Sequence, residues 1–152
     1  MRMKDVIISV IGVQQGADGP DSMELVTAGQ YGVSADEIRL TWEESELTGM
    51  EGTRTSITVQ PRSVVLSREG TLNSTMEFEE GRKHYCLYET PFGSATMGVD
   101  TQRIRSCLDF HGGEMEIEYT LDVNQTIVGR NRFYIRVQEP KQSHTGDIRW
   151  PI

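Results

Sequence analysis

The 152-residue chain carries 23 acidic against 15 basic side chains, a formal charge of -8: length enough for one domain with a sizeable core, and too acidic to hold a nucleic-acid backbone unaided. With 36% hydrophobic and 25% charged residues it lies on the polar side of the globular range, so the placement of the apolar residues carries the argument. The apolar run 6–13 is broken by Ser9 and Gly12 and followed by no small-residue cleavage site, and Cys86 and Cys107 are too few to staple the fold, which predicts a cytoplasmic protein with reduced thiols and no membrane partner.

Along the chain, period-two alternation recurs between clusters of Gly, Pro, Asn and Asp, the pattern of many short strands joined by hairpins. Strands are predicted over 6–14, 23–32, 37–47, 54–60, 63–68, 72–79, 82–89, 94–101, 114–123 and 127–139. The segment 102–108 has the one helix-like spacing and is expected as a helical turn. The turns at 16–20, 34–36, 49–52, 69–70, 80–81, 90–93 and 112–113 are short, and short connections join antiparallel neighbours, not parallel crossovers. An up-and-down meander of about ten strands leaves two open edges unless it curls into a barrel. The predicted fold is therefore an all-β antiparallel barrel over residues 1–139, with at most one short helix. Residues 140–152, ending Arg149-Trp150-Pro151-Ile152, have no period and are expected to be a loosely held extension.

The last hairpin is the most legible. Met115, Ile117, Tyr119, Leu121 and Val123 alternate with Glu114, Glu116, Glu118, Thr120 and Asp122, and the next strand sets Ile127, Asn131, Phe133, Ile135 and Val137 against Arg130, Arg132, Tyr134 and Arg136. A three-residue loop, Asn124, Gln125 and Thr126, places Glu118 opposite Arg132 and Glu114 opposite Arg136 on the outside, and Tyr119 beside Asn131 on the inside. The run 6–13 is apolar on both faces, so its outer side, with Ile7, Ile11 and Val13, is expected to be covered by a short helix, the chain ends or a second copy of the chain.

Several stretches resemble one known family: Glu44 through Thr53, Asn73-Ser74 with Met76 and Phe78, Tyr88 through Gly93, Met97-Gly98-Val99 and Gly112-Gly113. Together, in this order, they are similar to the YwiB-like bacterial proteins, over about Lys4 to Glu139. The resemblance implies a lipocalin-like, calycin-type barrel and carries over no catalytic residue, because that family is uncharacterised in function.

Carboxylates cluster at Glu43, Glu44, Glu46 and Glu51 around a Gly-flanked turn. If Trp42 points inward, alternation turns Glu44 and Glu46 inward too, where a buried carboxylate needs a partner such as Arg82 or Tyr119. His84 and Cys86 share a strand face and supply two metal ligands, short of a site unless Cys107 and His111 complete it, so no metal and no cofactor is predicted. Phe92, in the turn after Glu89, is placed to cap the barrel, whereas Arg54, Arg62, Arg68, Arg82 and Lys83 are dispersed among acids and read as surface charge. No nucleophile elbow or phosphate-cradling glycine loop occurs. The leading expectation is a non-enzymatic module that binds a small, partly apolar ligand through Trp42, Glu44, Glu46, Tyr88, Phe92, Tyr119 and Asn131. Two alternatives stand beside it: a homodimeric interaction protein, and an enzyme using the interior carboxylates with Tyr119 for acid-base chemistry.

Overall fold

The computed structural model describes residues 1–16 and 19–140, and within them ten strands follow one another along the chain. They are β1 (Lys4–Gly16), β2 (Gly19–Val33), β3 (Ile38–Glu43), β4 (Thr53–Val59), β5 (Val64–Gly70), β6 (Ser74–Phe78), β7 (Lys83–Thr90), β8 (Gly93–Asp109), β9 (Gly112–Val123) and β10 (Thr126–Gln138). All pairings are antiparallel, and the strand order β6-β5-β4-β3-β2-β1-β10-β9-β8-β7 makes the sheet a meander whose first and last strands, β1 and β10, also pair. Only β6 and β7 meet without a continuous ladder. One bridge, Asn73 to Glu89, joins that seam near one end, and at the other the Gly81 N–H donates to the Thr101 carbonyl. The architecture is the expected all-β barrel, closed except along this seam.

Alternation builds the interior. Val6, Ile8 and Val10 of β1, Leu40 and Trp42 of β3, Val64 and Leu66 of β5, Met76 and Phe78 of β6, Met97 and Val99 of β8, Met115 and Ile117 of β9, and Ile135 and Val137 of β10 are all buried in one cluster. Each such side chain contributes roughly 1.5–3 kcal/mol by leaving water, and a one-residue slip in any strand would forfeit that strand's share. On the outer surface Gly98 lies under the Asp122 carboxylate, which a Cβ there would approach to 2.5 Å, and Asp122 is paired with Lys83 at 2.6 Å.

The β9–β10 register has Glu118 opposite Arg132, Glu114 opposite Arg136 and Tyr119 opposite Asn131, as the alternation predicts, but it is reached by another route. The turn is two residues, Asn124 (φ 50) and Gln125 (φ 71), and a bulge between Ile127 and Gly129 restores the count a three-residue loop would have given. The bulge moves Ile127 off the inner face, opposite Asp122, where it is 73% exposed. Across β9 and β10 the contacts run diagonally, Arg132 reaching Glu116 at 3.7 Å and Glu114 accepting from the Tyr134 hydroxyl, whereas Glu118 pairs with Arg103, its direct partner on β8, at 3.7 Å.

Two further expectations are corrected. Residues 102–108 are not helical: they continue β8, and a bulge between Thr101 and Arg103 inserts one residue so that Ile104 and Leu108 still pack on the core. The strand predicted over 37–47 ends at Glu43, and Glu46–Thr48 form a 3₁₀ turn, whose Ser45 hydroxyl accepts from the Leu47 N–H and whose C-cap Gly49 has φ 76. It is the one helical segment among the described residues. Ile7, Ile11 and Val13 line the outer side of β1 and are half-buried there. The extension beyond Pro140 lies outside the described residues.

The meander gives the barrel two distinct ends. At one, the Tyr31 hydroxyl donates to the Asp109 carbonyl at 2.7 Å, Lys4 pairs with Glu139 at 2.8 Å, and the Lys4 ammonium lies 4.0 Å from the Phe110 ring centroid. At the other lie the β3–β4, β5–β6, β7–β8 and β9–β10 connections and the paired strand ends Gly16 and Gly19 of β1 and β2.

Candidate functional site

Most of the residues predicted to bind a ligand lie towards the second end, where the odd-numbered strands lead into their hairpins. Glu44, Glu46 and Phe92 sit in those turns, Tyr88 is two residues before one, and Tyr119 and Asn131 lie on the inner face of β9 and β10 approaching another. Sharing an end does not make them one site.

Glu44 is 8% exposed and fully engaged by its own neighbours. The Trp42 indole N–H donates to its Oε2 at 3.0 Å, the Thr55 hydroxyl to the same oxygen at 2.5 Å, and the Thr48 hydroxyl to Oε1 at 3.0 Å. These partners are neither Arg82 nor Tyr119. The arrangement is a polar plug that ties the 3₁₀ turn to β3 and β4, since a carboxylate withdrawn from water is tolerated only when its lone pairs are filled. Glu46 does not join it: the 3₁₀ turn breaks the period of two and leaves Glu46 exposed. The two glutamates therefore do not form an acid-base pair. Phe92 is 99% exposed at the tip of the β7–β8 turn and covers nothing among the described residues.

Tyr119 and Asn131 face each other across β9 and β10, and together with Gly12, Met23 and Phe133 they line a recess of about 240 Å³ at the mouth. Gly12 is what leaves it open: a Cβ built on this inner-face glycine would meet nothing within 4 Å. The Tyr119 ring packs edge-on against Phe78 with centroids 4.9 Å apart. Burial pushes its phenol above the ordinary value, while the Arg68 charge pulls it back. Tyr88 packs its half-buried side against the core from β7.

Arg68 is the residue that sequence reasoning misplaced. It was expected on the surface, yet β5 alternates Val64, Leu66, Arg68, which puts Arg68 on the inner-facing side of the strand, half-buried. Its Nε is buried without a hydrogen-bond partner, as are Ser74 Oγ, directly opposite on β6, and Thr101 Oγ1, opposite Tyr119 on β8. The period of two that placed Trp42 would have found it.

The four predicted metal-ligating candidates are not brought together. His84 Nε2 is 3.1 Å from Glu79 Oε1 and its Nδ1 is 3.8 Å from Glu77 Oε1, so the imidazole stitches β7 to β6 across the seam, and these three groups each offer one ligand atom within 4.8 Å of the others. His111 pairs instead with Glu139 at 3.3 Å, and Cys107 is exposed on the far part of β8. Burial raises the Cys86 thiol pKa, the opposite of what an activated nucleophile needs.

Comparison with known proteins agrees with this fold. The chain is 25% identical over 118 residues to the uncharacterized beta-barrel protein YwiB of Bacillus subtilis (strain 168), covering 78% of this chain and 82% of that protein. It superimposes on the crystal structure of the Bacillus subtilis ywiB protein with a TM-score of 0.82 at 21% identity, over 91% of this chain and 94% of that one. A family model described as a domain of unknown function, DUF1934, matches residues 8–135, and the chain therefore belongs to that bacterial β-barrel family.

Proposed function

We propose that the chain is a non-enzymatic binding module that takes a small, partly apolar molecule into the mouth of its barrel, in the manner of lipocalin-like folds. The observation that carries this reading is the recess at Gly12: an inner-face glycine facing open space, walled by Met23 and Phe133 and edged by Tyr119 and Asn131, combines apolar surface with two polar groups that fix orientation. The interior carboxylate offered for catalysis is instead held by its own neighbours, which favours binding over acid-base chemistry.

The test is an amide NMR titration of the wild type and of Gly12→Leu with a small-molecule extract of the host. Saturable shifts confined to Gly12, Tyr119, Asn131 and Phe133 are expected in the wild type. They should weaken by about tenfold or more when the leucine fills the recess. Shifts scattered over the outer strand faces, or an unchanged response in Gly12→Leu, would refute the reading.

Self-association is a second reading, supported by Val26, 64% exposed on β2 opposite Ser9 and flanked by the outer residues Ile7 and Ile11 of β1. Sedimentation of the wild type and Val26→Glu distinguishes it: a dimer lost in the variant would support this surface, and a monomer in both would remove it.

A further inference from the structure

We propose that the ligand carries an oxyanion, a carboxylate or a phosphate, and that Arg68 with Ser74 receives it inside the β6–β7 seam. The inference rests on the reading that this end of the barrel admits a small molecule, and it names the headgroup.

Arg68 is half-buried, and a buried guanidinium N–H is costly unless an acceptor meets it. Arg68 follows Val64 and Leu66 onto the inner face, yet its buried Nε has no acceptor, and no carboxylate among the described residues forms an ion pair with it. The acids are near at hand. Glu69, Glu77 and Glu89 line the same groove of about 540 Å³ along the seam, and His84 engages Glu77 and Glu79 from the opposite strand.

Ser74 adds the second, independent mark. It sits directly opposite Arg68 in the β5–β6 ladder, is 6% exposed, and its hydroxyl also lacks a partner. A cationic N–H and a hydroxyl, side by side and both unused, form a donor pair whose complement is a group that only accepts. A terminal carboxylate or phosphate fits, because the planar guanidinium presents its N–H groups as a fork to two oxygens.

The seam explains how such a headgroup arrives. With β6 and β7 joined by one bridge, the ladder leaves an opening there, and the same groove is flanked by Tyr85, Cys86 and Leu87, apolar surface for the body of an amphipathic molecule.

The experiment follows the Arg68 Nε–H resonance, assigned by its loss in Arg68→Gln, while the wild-type chain is titrated separately with hexanoate and with inorganic phosphate. Saturable movement with either probe, weakened roughly ten- to hundredfold in Arg68→Gln when read from the Ser74 amide, is the expected result. The tighter probe identifies the headgroup. Should Arg68→Gln fail to fold, Ser74→Ala serves as the second variant and should weaken binding severalfold. An Nε–H resonance that neither probe moves, or identical binding by wild type and variant, overturns the proposal. If host molecules still shift Gly12 and Asn131 while Arg68 stays silent, the anion site fails and the mouth reading survives. Saturation at Arg68 with no response at Gly12 gives the converse.

Discussion

Replacing Glu44 by alanine should cost about 3–5 kcal/mol, a large part of the stability of a domain this size. The figure follows from counting what the carboxylate holds. Trp42 and Thr55 are buried, so both the indole N–H at 3.0 Å and the Thr55 hydroxyl lose their acceptor in a place water does not reach. An orphaned buried donor costs about 1–3 kcal/mol, and the space vacated by the side chain adds a cavity term. Thr48 contributes little, because its hydroxyl has a second acceptor in the Ser45 carbonyl at 3.1 Å. Glu44→Gln keeps an acceptor oxygen but turns an amide N–H₂ toward one of the donors, and should cost about 1–3 kcal/mol. Urea unfolding followed by far-UV circular dichroism measures both, with Thr48→Ala as the control expected to cost under about 1 kcal/mol. A loss below about 1 kcal/mol for Glu44→Ala would mean that the carboxylate is solvated, and the polar plug would have to be abandoned.

Two further predictions follow from local geometry. Gln125 occupies φ 71 in the β9–β10 turn, a region that disfavours a side chain, so Gln125→Gly should raise stability by about 0.5–1 kcal/mol in the same urea assay, and a loss would show that the turn is not of this type. Tyr31 is raised to about 12, chiefly by burial and secondarily by Asp109. The folded chain thus holds this proton more tightly than the unfolded chain, whose tyrosine titrates near 10, and the resulting stability is complete below pH 10 and lost as pH rises to about 12. Tyr31→Phe should remove that alkaline loss, about 2–3 kcal/mol, while costing about 1 kcal/mol at neutral pH for its hydrogen bond to Asp109, and a wild-type curve no steeper than the variant's would contradict the burial.

What the sequence disclosed, it disclosed through parity. Strict alternation in 114–123 gave the faces and the register of β9, because one slipped residue would have put Met115 and Ile117 in water. Where a residue is inserted, parity misleads. The bulge after Thr101 shifts the inward positions from odd to even, and Ile104 and Leu108, four apart, then mimic a helical face. The compensating pair of a two-residue turn and a bulge at Val128 left the register legible while hiding the true position of Ile127. At the site, alternation carried Trp42 and Glu44 inward correctly, and failed at Glu46 because the Ser45 cap starts a 3₁₀ turn. Arg68 was overlooked for a different reason: its charge was read before its position. The mouth recess depends on Gly12, whose absent side chain leaves no pattern to read.

Native mass spectrometry of the chain purified from its own host tests the central claim most directly, since it weighs the folded protein with whatever it retains. The account predicts a small mass excess over the polypeptide, carried by an amphipathic anion and reduced in both Gly12→Leu and Arg68→Gln. Folded protein that always shows the bare polypeptide mass, in the wild type as in both variants, would contradict it.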